Sequence, residues 1–158
     1  MADRPVADSR LIVPLDAPTA ADARRLTETL GEAISFYKIG LELFATDGMA
    51  LARELKAAGK QVFLDWKLHD IGATVERATA ALAGSGCDML TVHAGPQVMA
   101  AAVKGRGGSG LKLLGVTVLT SLNEDDLKAL GYGSTARELV ERRVRQAVDA
   151  GMDGVVAS

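Results

Sequence analysis

Short apolar runs alternate along the chain with longer stretches of helical period. RLIVPLD (10–16), ISFYKIG (34–40), QVFLDWK (61–67), DMLTVHA (88–94), LKLLGVTVLT (111–120) and DGVVAS (153–158) predict six strands. TAADARRLTETLG predicts a helix that starts with a capping box, Thr19 with Asp22 three residues on, and stops at Gly31. DGMALARELKAAG (47–59), TVERATAALAGSG (74–86), the short SLNEDDLKALG and TARELVERRVRQAVDAG (135–151) predict further helices.

Strand, helix, strand in regular succession is the pattern of a parallel sheet. Strands two to five are rich in Val, Ile, Leu and Phe, as strands covered on both faces must be. An open doubly wound sheet and part of a (β/α)8 barrel both fit. A nucleotide-binding open sheet wants a glycine-rich turn after its first strand, whereas this turn is LDAPTA. The one GxGxxG match, Gly105, Gly107 and Gly110 in KGRGGSG, leads into a strand and reads as a flexible loop. The expectation is therefore a (β/α)8 TIM barrel of which the chain covers about the first six β/α units, as a single domain over residues 1–158 without an internal linker. A full barrel takes eight strands and typically about 250 residues, so its C-terminal part is absent from this sequence.

Composition narrows the function classes. The 158 residues carry a formal net charge of −2, with 48% hydrophobic and 24% charged residues. With a sequence pI near 5.7, that balance argues against nucleic acid or an anionic membrane as partner. No apolar run is long enough to span a bilayer, and MADRPVADSR has no signal-peptide core. Cys87 is the only cysteine. It reads as a packing residue in a reducing, cytoplasmic setting.

The chemistry of such barrels sits at the C-terminal ends of the strands, and there the polar residues collect. Strand one ends in Asp16, strand two carries Lys38, and strand three ends in Asp65 and Lys67 with Asp70 just beyond. Strand four ends in His93 and strand five in Thr120 and Ser121. The two-residue period puts Phe63, Asp65 and Lys67 on one face of strand three, and Val62, Leu64 and Trp66 on the other. Charges of opposite sign can be carried together at the edge of a core. Carboxylates around Lys67 would hold it as an ammonium ion, a proton donor that also stabilises developing negative charge. A structural salt-bridge network is the plainer alternative for any one Lys–Asp pair. Ser121 with Glu124 can also be a capping box, Asp16 a turn residue before Pro18, and His93 a core or rim histidine. Arg137, Arg142, Arg143 and Arg145 read as a solvated helix face.

DWKLHDIGAT (65–74) resembles the D-x-K-x-x-D-I-x-x-T signature of the orotidine 5′-phosphate decarboxylase family, and LIVPLDAP, FYKIGLELF, TVHA and LKLLGVTVLTS resemble its first, second, fourth and fifth strands in order. The resemblance implies a cofactor-free, metal-free homodimeric lyase of pyrimidine biosynthesis with active sites shared between subunits. It implies that Lys67 protonates the ring carbon losing carbon dioxide, Asp65 faces the substrate carboxylate, and Lys38 links Asp65 to the ribose. Asp70 and Thr74, with Ile71 beside them, would come from the opposite subunit. Asp16 would bind the nucleoside, and Thr120 and Ser121 would line the pyrimidine pocket. The family's phosphate-gripping Arg follows the last strands of the barrel, and nothing in these residues matches it.

Two rivals remain at this level. Magnesium-dependent enzymes of the same superfamily, acting on keto-sugar phosphates as decarboxylases or aldolases, share the D-x-K-x-x-D core but hold the metal partly by a strand-two carboxylate, where this chain has Lys38. A barrel truly ending at Ser158 would instead be a non-catalytic, self-associating fragment.

Overall fold

The computed structural model describes residues 7–157; the stretch 1–6, part of the N-terminus expected to lack a signal peptide, and Ser158, the last residue of the expected sixth strand, lie outside the described residues. The strands are β1 (Val13–Pro14), β2 (Phe36–Ile39), β3 (Gln61–Leu68), β4 (Met89–His93), β5 (Lys112–Val116) and β6 (Gly154–Val156). The helices are α1 (Ala20–Leu30), α2 (Leu41–Phe44), α3 (Gly48–Ala57), α4 (Gly72–Ala83), α5 (Pro96–Arg106), α6 (Glu124–Ala129) and α7 (Ala136–Ala150). The sheet order is β1-β2-β3-β4-β5-β6. Each strand thus lies beside its sequence neighbour, with no reversal of order. Doubly wound sheets have such a reversal and bind ligands there; a (β/α) barrel does not. The chain therefore has the fold of the first six units of a (β/α)8 barrel. Among the described residues no helix is long and apolar enough to cross a membrane.

The chain divides into two compact units. One holds the described residues up to Trp66 together with Ser85–Leu90; the other holds Lys67–Gly84 and the residues from Thr91 on.

In the first unit, β1 pairs with β2 in parallel, Pro14 opposite Lys38, and β2 with β3, Lys38 opposite Phe63. Phe36, Tyr37, Ile39, Val62 and Leu64 are almost completely buried, together with Leu43, Leu51 and Leu55 from the helices. Burying side chains of this size contributes about 1.5–3 kcal/mol each. Thr19 caps α1 by accepting the Asp22 N–H, the forward half of the expected capping box, its own hydroxyl donates to the Asp22 carboxylate, and Gly31 closes the helix. Asp88 ties the sheet to α3, accepting from the Val62 N–H at 2.7 Å and Lys56 Nζ at 2.8 Å. Cys87 is buried, and burial pushes its thiol pKa up, which suits a packing residue.

In the second unit, β5 pairs with β6 in parallel, Val116 opposite Val156. Asp153 fixes the start of that pair. It accepts from the Leu113 N–H at 2.9 Å, lies 3.3 Å from Lys112, and forms an ion pair with Arg106. Helices α4 and α5 pack so closely that a Cβ on Gly105 would lie 2.2 Å from the Glu76 carbonyl oxygen. Gly105 therefore belongs to the last turns of a helix and serves backbone contact. The loop reading of the glycine-rich stretch holds only from Gly107 on, where a φ of 56° ends α5.

Three further expectations are corrected. The first strand is two residues long, because Leu11 is drawn into a turn through the Asp8 carbonyl and stays exposed. The fifth strand ends at Val116 rather than 120, because Val118, Leu122 and Leu127 pack with Leu139 and Tyr132 in a separate apolar cluster. The cap of α6 is Asn123 with Asp126, a reciprocal capping box two residues later than Ser121 with Glu124.

Candidate active site

Asp16, Lys38 and Asp65, predicted at the ends of the first three strands, meet in the first unit. Lys38 Nζ lies 3.5 Å from Asp16 Oδ1 and 3.5 Å from Asp65 Oδ2. Lys38 reaches this point from β2, opposite Phe63 of β3, so Asp65 is two residues further along the neighbouring strand. The environments differ: the Asp65 side chain is 17% exposed and that of Asp16 67%. Both separations exceed the 2.7–2.9 Å typical of a charge-assisted hydrogen bond. The Lys38 ammonium is thus held in the fields of two carboxylates. Gly40 borders the pair: a Cβ there would make ordinary contact, 3.5 Å from Asp16 Oδ1 and 3.7 Å from Lys38 Nζ.

Lys67 opens the second unit. Its φ is 49°, and among the described residues it alone of the non-glycine residues has positive φ. The left-handed region costs an L-residue about 1–2 kcal/mol, and such outliers gather at functional sites. The strict two-residue alternation therefore breaks at Lys67, so the periodicity that set its side chain beside that of Asp65 does not by itself fix its direction. The Lys67 N–H donates to Thr91 Oγ1 at 3.0 Å. Just beyond, Asp70 Oδ1 accepts the Ile71 N–H at 2.6 Å, and Ile71 precedes α4 as its cap residue with 77% of its surface exposed. Thr74 is half-buried in the first turn of that helix. Asp70 and Ile71 thus face outward, side by side.

A cavity of about 430 Å³ also belongs to this unit, lined among others by His69, His93, Thr117, Tyr132 and Arg143. The His69 and His93 imidazoles lie against each other at a tilt of 47°, with centroids 5.0 Å apart. Burial lowers the His93 pKa, and the charges of His69, Arg143 and Lys67 lower it further. Arg143 corrects the expectation of a solvated face. It turns inward, donating to the Thr117 carbonyl and, at 2.8 Å, to the Tyr132 hydroxyl. Arg137 and Arg145 stay exposed beside Glu141. Thr120 and Ser121 are exposed turn residues, because the strand that would have aimed them stops at Val116. His69 and Thr117 were legible only as polar residues inside the signature and the apolar run; Tyr132 and Arg143 carried no sequence signal. Among the described residues no group of three or more His, Cys, Asp or Glu side chains could hold a metal ion.

A sequence model of the orotidine 5′-phosphate decarboxylase / HUMPS family matches residues 9–158. The chain belongs to this family. A relative from Caulobacter sp. (strain K31), called orotidine 5′-phosphate decarboxylase, is 70% identical over 152 residues, which are 96% of this chain and 66% of that relative. One of the same name from Rhodopseudomonas palustris (strain BisA53) is 52% identical over 100% of this chain and 67% of its own length. The chain thus spans about two thirds of the curated relatives it matches. The crystal structure of orotidine 5′-phosphate decarboxylase from Lactobacillus acidophilus superimposes with a TM-score of 0.87 at 35% identity, over 96% of this chain and 72% of that one. An uncharacterized conserved protein from Geobacillus kaustophilus gives a TM-score of 0.86 at 37% identity, over 92% of this chain and 72% of that one. The D-x-K-x-x-D-I-x-x-T signature of the family occupies the end of β3 and the start of α4, with Asp65 beside Lys38 and Lys67 at the backbone outlier.

Proposed function

We propose that this protein decarboxylates orotidine 5′-phosphate to uridine 5′-phosphate in pyrimidine biosynthesis, as a carbon–carbon lyase. The observation that carries the reading is the placement of Lys38 between Asp16 and Asp65, two residues before Lys67 on β3. Relatives of 70% and 52% identity bearing the decarboxylase name support it.

Lys38, Asp65 and Lys67 act with Asp70 from the opposite subunit as an array of alternating charge. Asp65 stands against the substrate carboxylate. The bond from the ring carbon to that carboxylate breaks, carbon dioxide leaves, and the electron pair stays on the ring carbon. Lys67 Nζ gives that carbon a proton and regains one from water. The obstacle is the poorly stabilised carbanion, so preorganised charge does most of the work. Lys38 fixes Asp65 and reaches the ribose, Asp16 binds the nucleoside, and Thr120 and Ser121 line the pyrimidine pocket. The reaction uses no metal or organic cofactor. The working form is a cytoplasmic two-fold dimer without nucleic-acid or membrane partners. In it Asp70, Ile71 and Thr74 serve the partner's site, which the outward exposure of Asp70 and Ile71 just before α4 supports.

An ultraviolet assay tests the reading. Orotidine 5′-phosphate should be consumed at a rate unchanged by a chelator. Inertness toward it, with chelator-sensitive turnover of a keto-sugar phosphate, would assign the chain to the magnesium-dependent branch.

A further inference from the structure

Thr91 lies within the apolar run of β4 and has no surface exposure. Its hydroxyl oxygen, 3.0 Å away, accepts the backbone N–H of Lys67 at the residue whose φ is positive. A regular parallel strand would offer a neighbouring carbonyl to that N–H. Here a side chain on the adjacent strand supplies an acceptor, at the residue where the chain takes its left-handed turn. We propose that Thr91 is a positioning residue for Lys67: its hydroxyl holds the strained peptide and so sets the direction in which the Lys67 ammonium leaves the strand.

Three physical points support this. A part-buried N–H that loses an acceptor is costly, so the hydroxyl stabilises this conformation. Threonine is stiff at χ1, so its oxygen is presented in a fixed place. Valine has nearly the same shape without the acceptor, so the hydroxyl can be removed with the packing kept.

The kinetic part of the test rests on the decarboxylase reading; the amide part does not. In the full-length protein, Thr91→Val should speed hydrogen exchange of the Lys67 amide at least about tenfold relative to amides within α4, as expected when an acceptor is lost. It should lower kcat by about tenfold to a hundredfold, the scale of a 1 Å misplacement, with KM within about twofold. Thr91→Ser keeps the oxygen and should restore both. A folded Thr91→Val protein with wild-type amide exchange and kcat would overturn the proposal, as would a Thr91→Ser protein impaired as badly as Thr91→Val. If Thr91→Val does not fold, Thr91→Ala is read in its place. Folding with Ser but with neither Val nor Ala would make the hydroxyl a folding requirement, and that too overturns the positioning role. A wild-type protein inert toward orotidine 5′-phosphate refutes the functional reading, and the amide exchange still decides the role of Thr91.

Discussion

Lys38 faces two carboxylates at the same 3.5 Å, yet only one of these pairs should matter energetically. At that separation two unit charges attract by about 5 kcal/mol if the effective dielectric constant is about 20, and by about 1 kcal/mol in water. Asp16 keeps 67% of its side-chain surface in solvent, so its pair with Lys38 belongs near the water limit. Measured coupling there should be about 0.2–1 kcal/mol. Asp65 is 17% and Lys38 23% exposed, so their attraction is much less screened. After desolvation and side-chain ordering are subtracted, the coupling should be about 1–3 kcal/mol. The perturbation is a pair of double-mutant cycles, Lys38→Met with Asp65→Asn and Lys38→Met with Asp16→Asn. The assay is urea unfolding at low salt and in 1 M NaCl, where the Debye length is about 3 Å. The Asp65 coupling should exceed the Asp16 coupling at low salt and keep most of its size in high salt, while the Asp16 coupling fades. Equal couplings, or an Asp65 coupling that salt abolishes, would refute the assignment of Lys38 to Asp65.

Gly105→Ala forces a Cβ to within 2.2 Å of the Glu76 carbonyl and should cost at least about 2 kcal/mol, lowering the melting temperature by several degrees; an unchanged melting curve would contradict the close packing of α4 on α5. Burial, then His69, Arg143 and Lys67, lower the His93 pKa in the fold, so the unfolded chain takes up the proton first as pH falls. The stability gained from neutral His93 is complete above its ordinary value of about 6.5 and is lost as pH drops through the lowered folded value. Melting curves between pH 8 and 5 should show a steeper acid loss for wild type than for His93→Gln. For the shared site, refolding Lys67→Ala and Asp70→Ala proteins together should recover activity in about a quarter of sites, by the symmetry of a two-fold dimer; no recovery would place Asp70 in the site of its own chain.

Apolar runs and capping residues revealed most of the architecture, because β2, β3 and β4 are strands whose side chains are mostly buried and α1 and α7 carry strong caps. The runs misled where apolar residues serve something other than a sheet. VTVLTSL alternates like a strand, yet Val118 and Leu122 pack with Leu127 and Leu139, and alternation alone cannot separate these uses. Helix α2 spans four residues, too few to show a period. The charge pairing of Lys38 with Asp65 was readable because two strand ends in consecutive β/α units must be neighbours. The left-handed peptide at Lys67 was not, since nothing about a lysine between Trp66 and Leu68 marks a positive φ. Arg143 was misplaced because four arginines on one helix look solvated until the loop carrying Tyr132 folds against one of them.

The central claim is that Lys67 supplies the proton, and its most direct measurement pairs turnover with nucleotide binding in Lys67→Ala. Decarboxylation should slow by at least about a thousandfold, the combined loss of a general acid and of electrostatic stabilisation. The product, uridine 5′-phosphate, should bind within about tenfold of wild type. A folded Lys67→Ala protein that turns over orotidine 5′-phosphate within tenfold of wild type would contradict it.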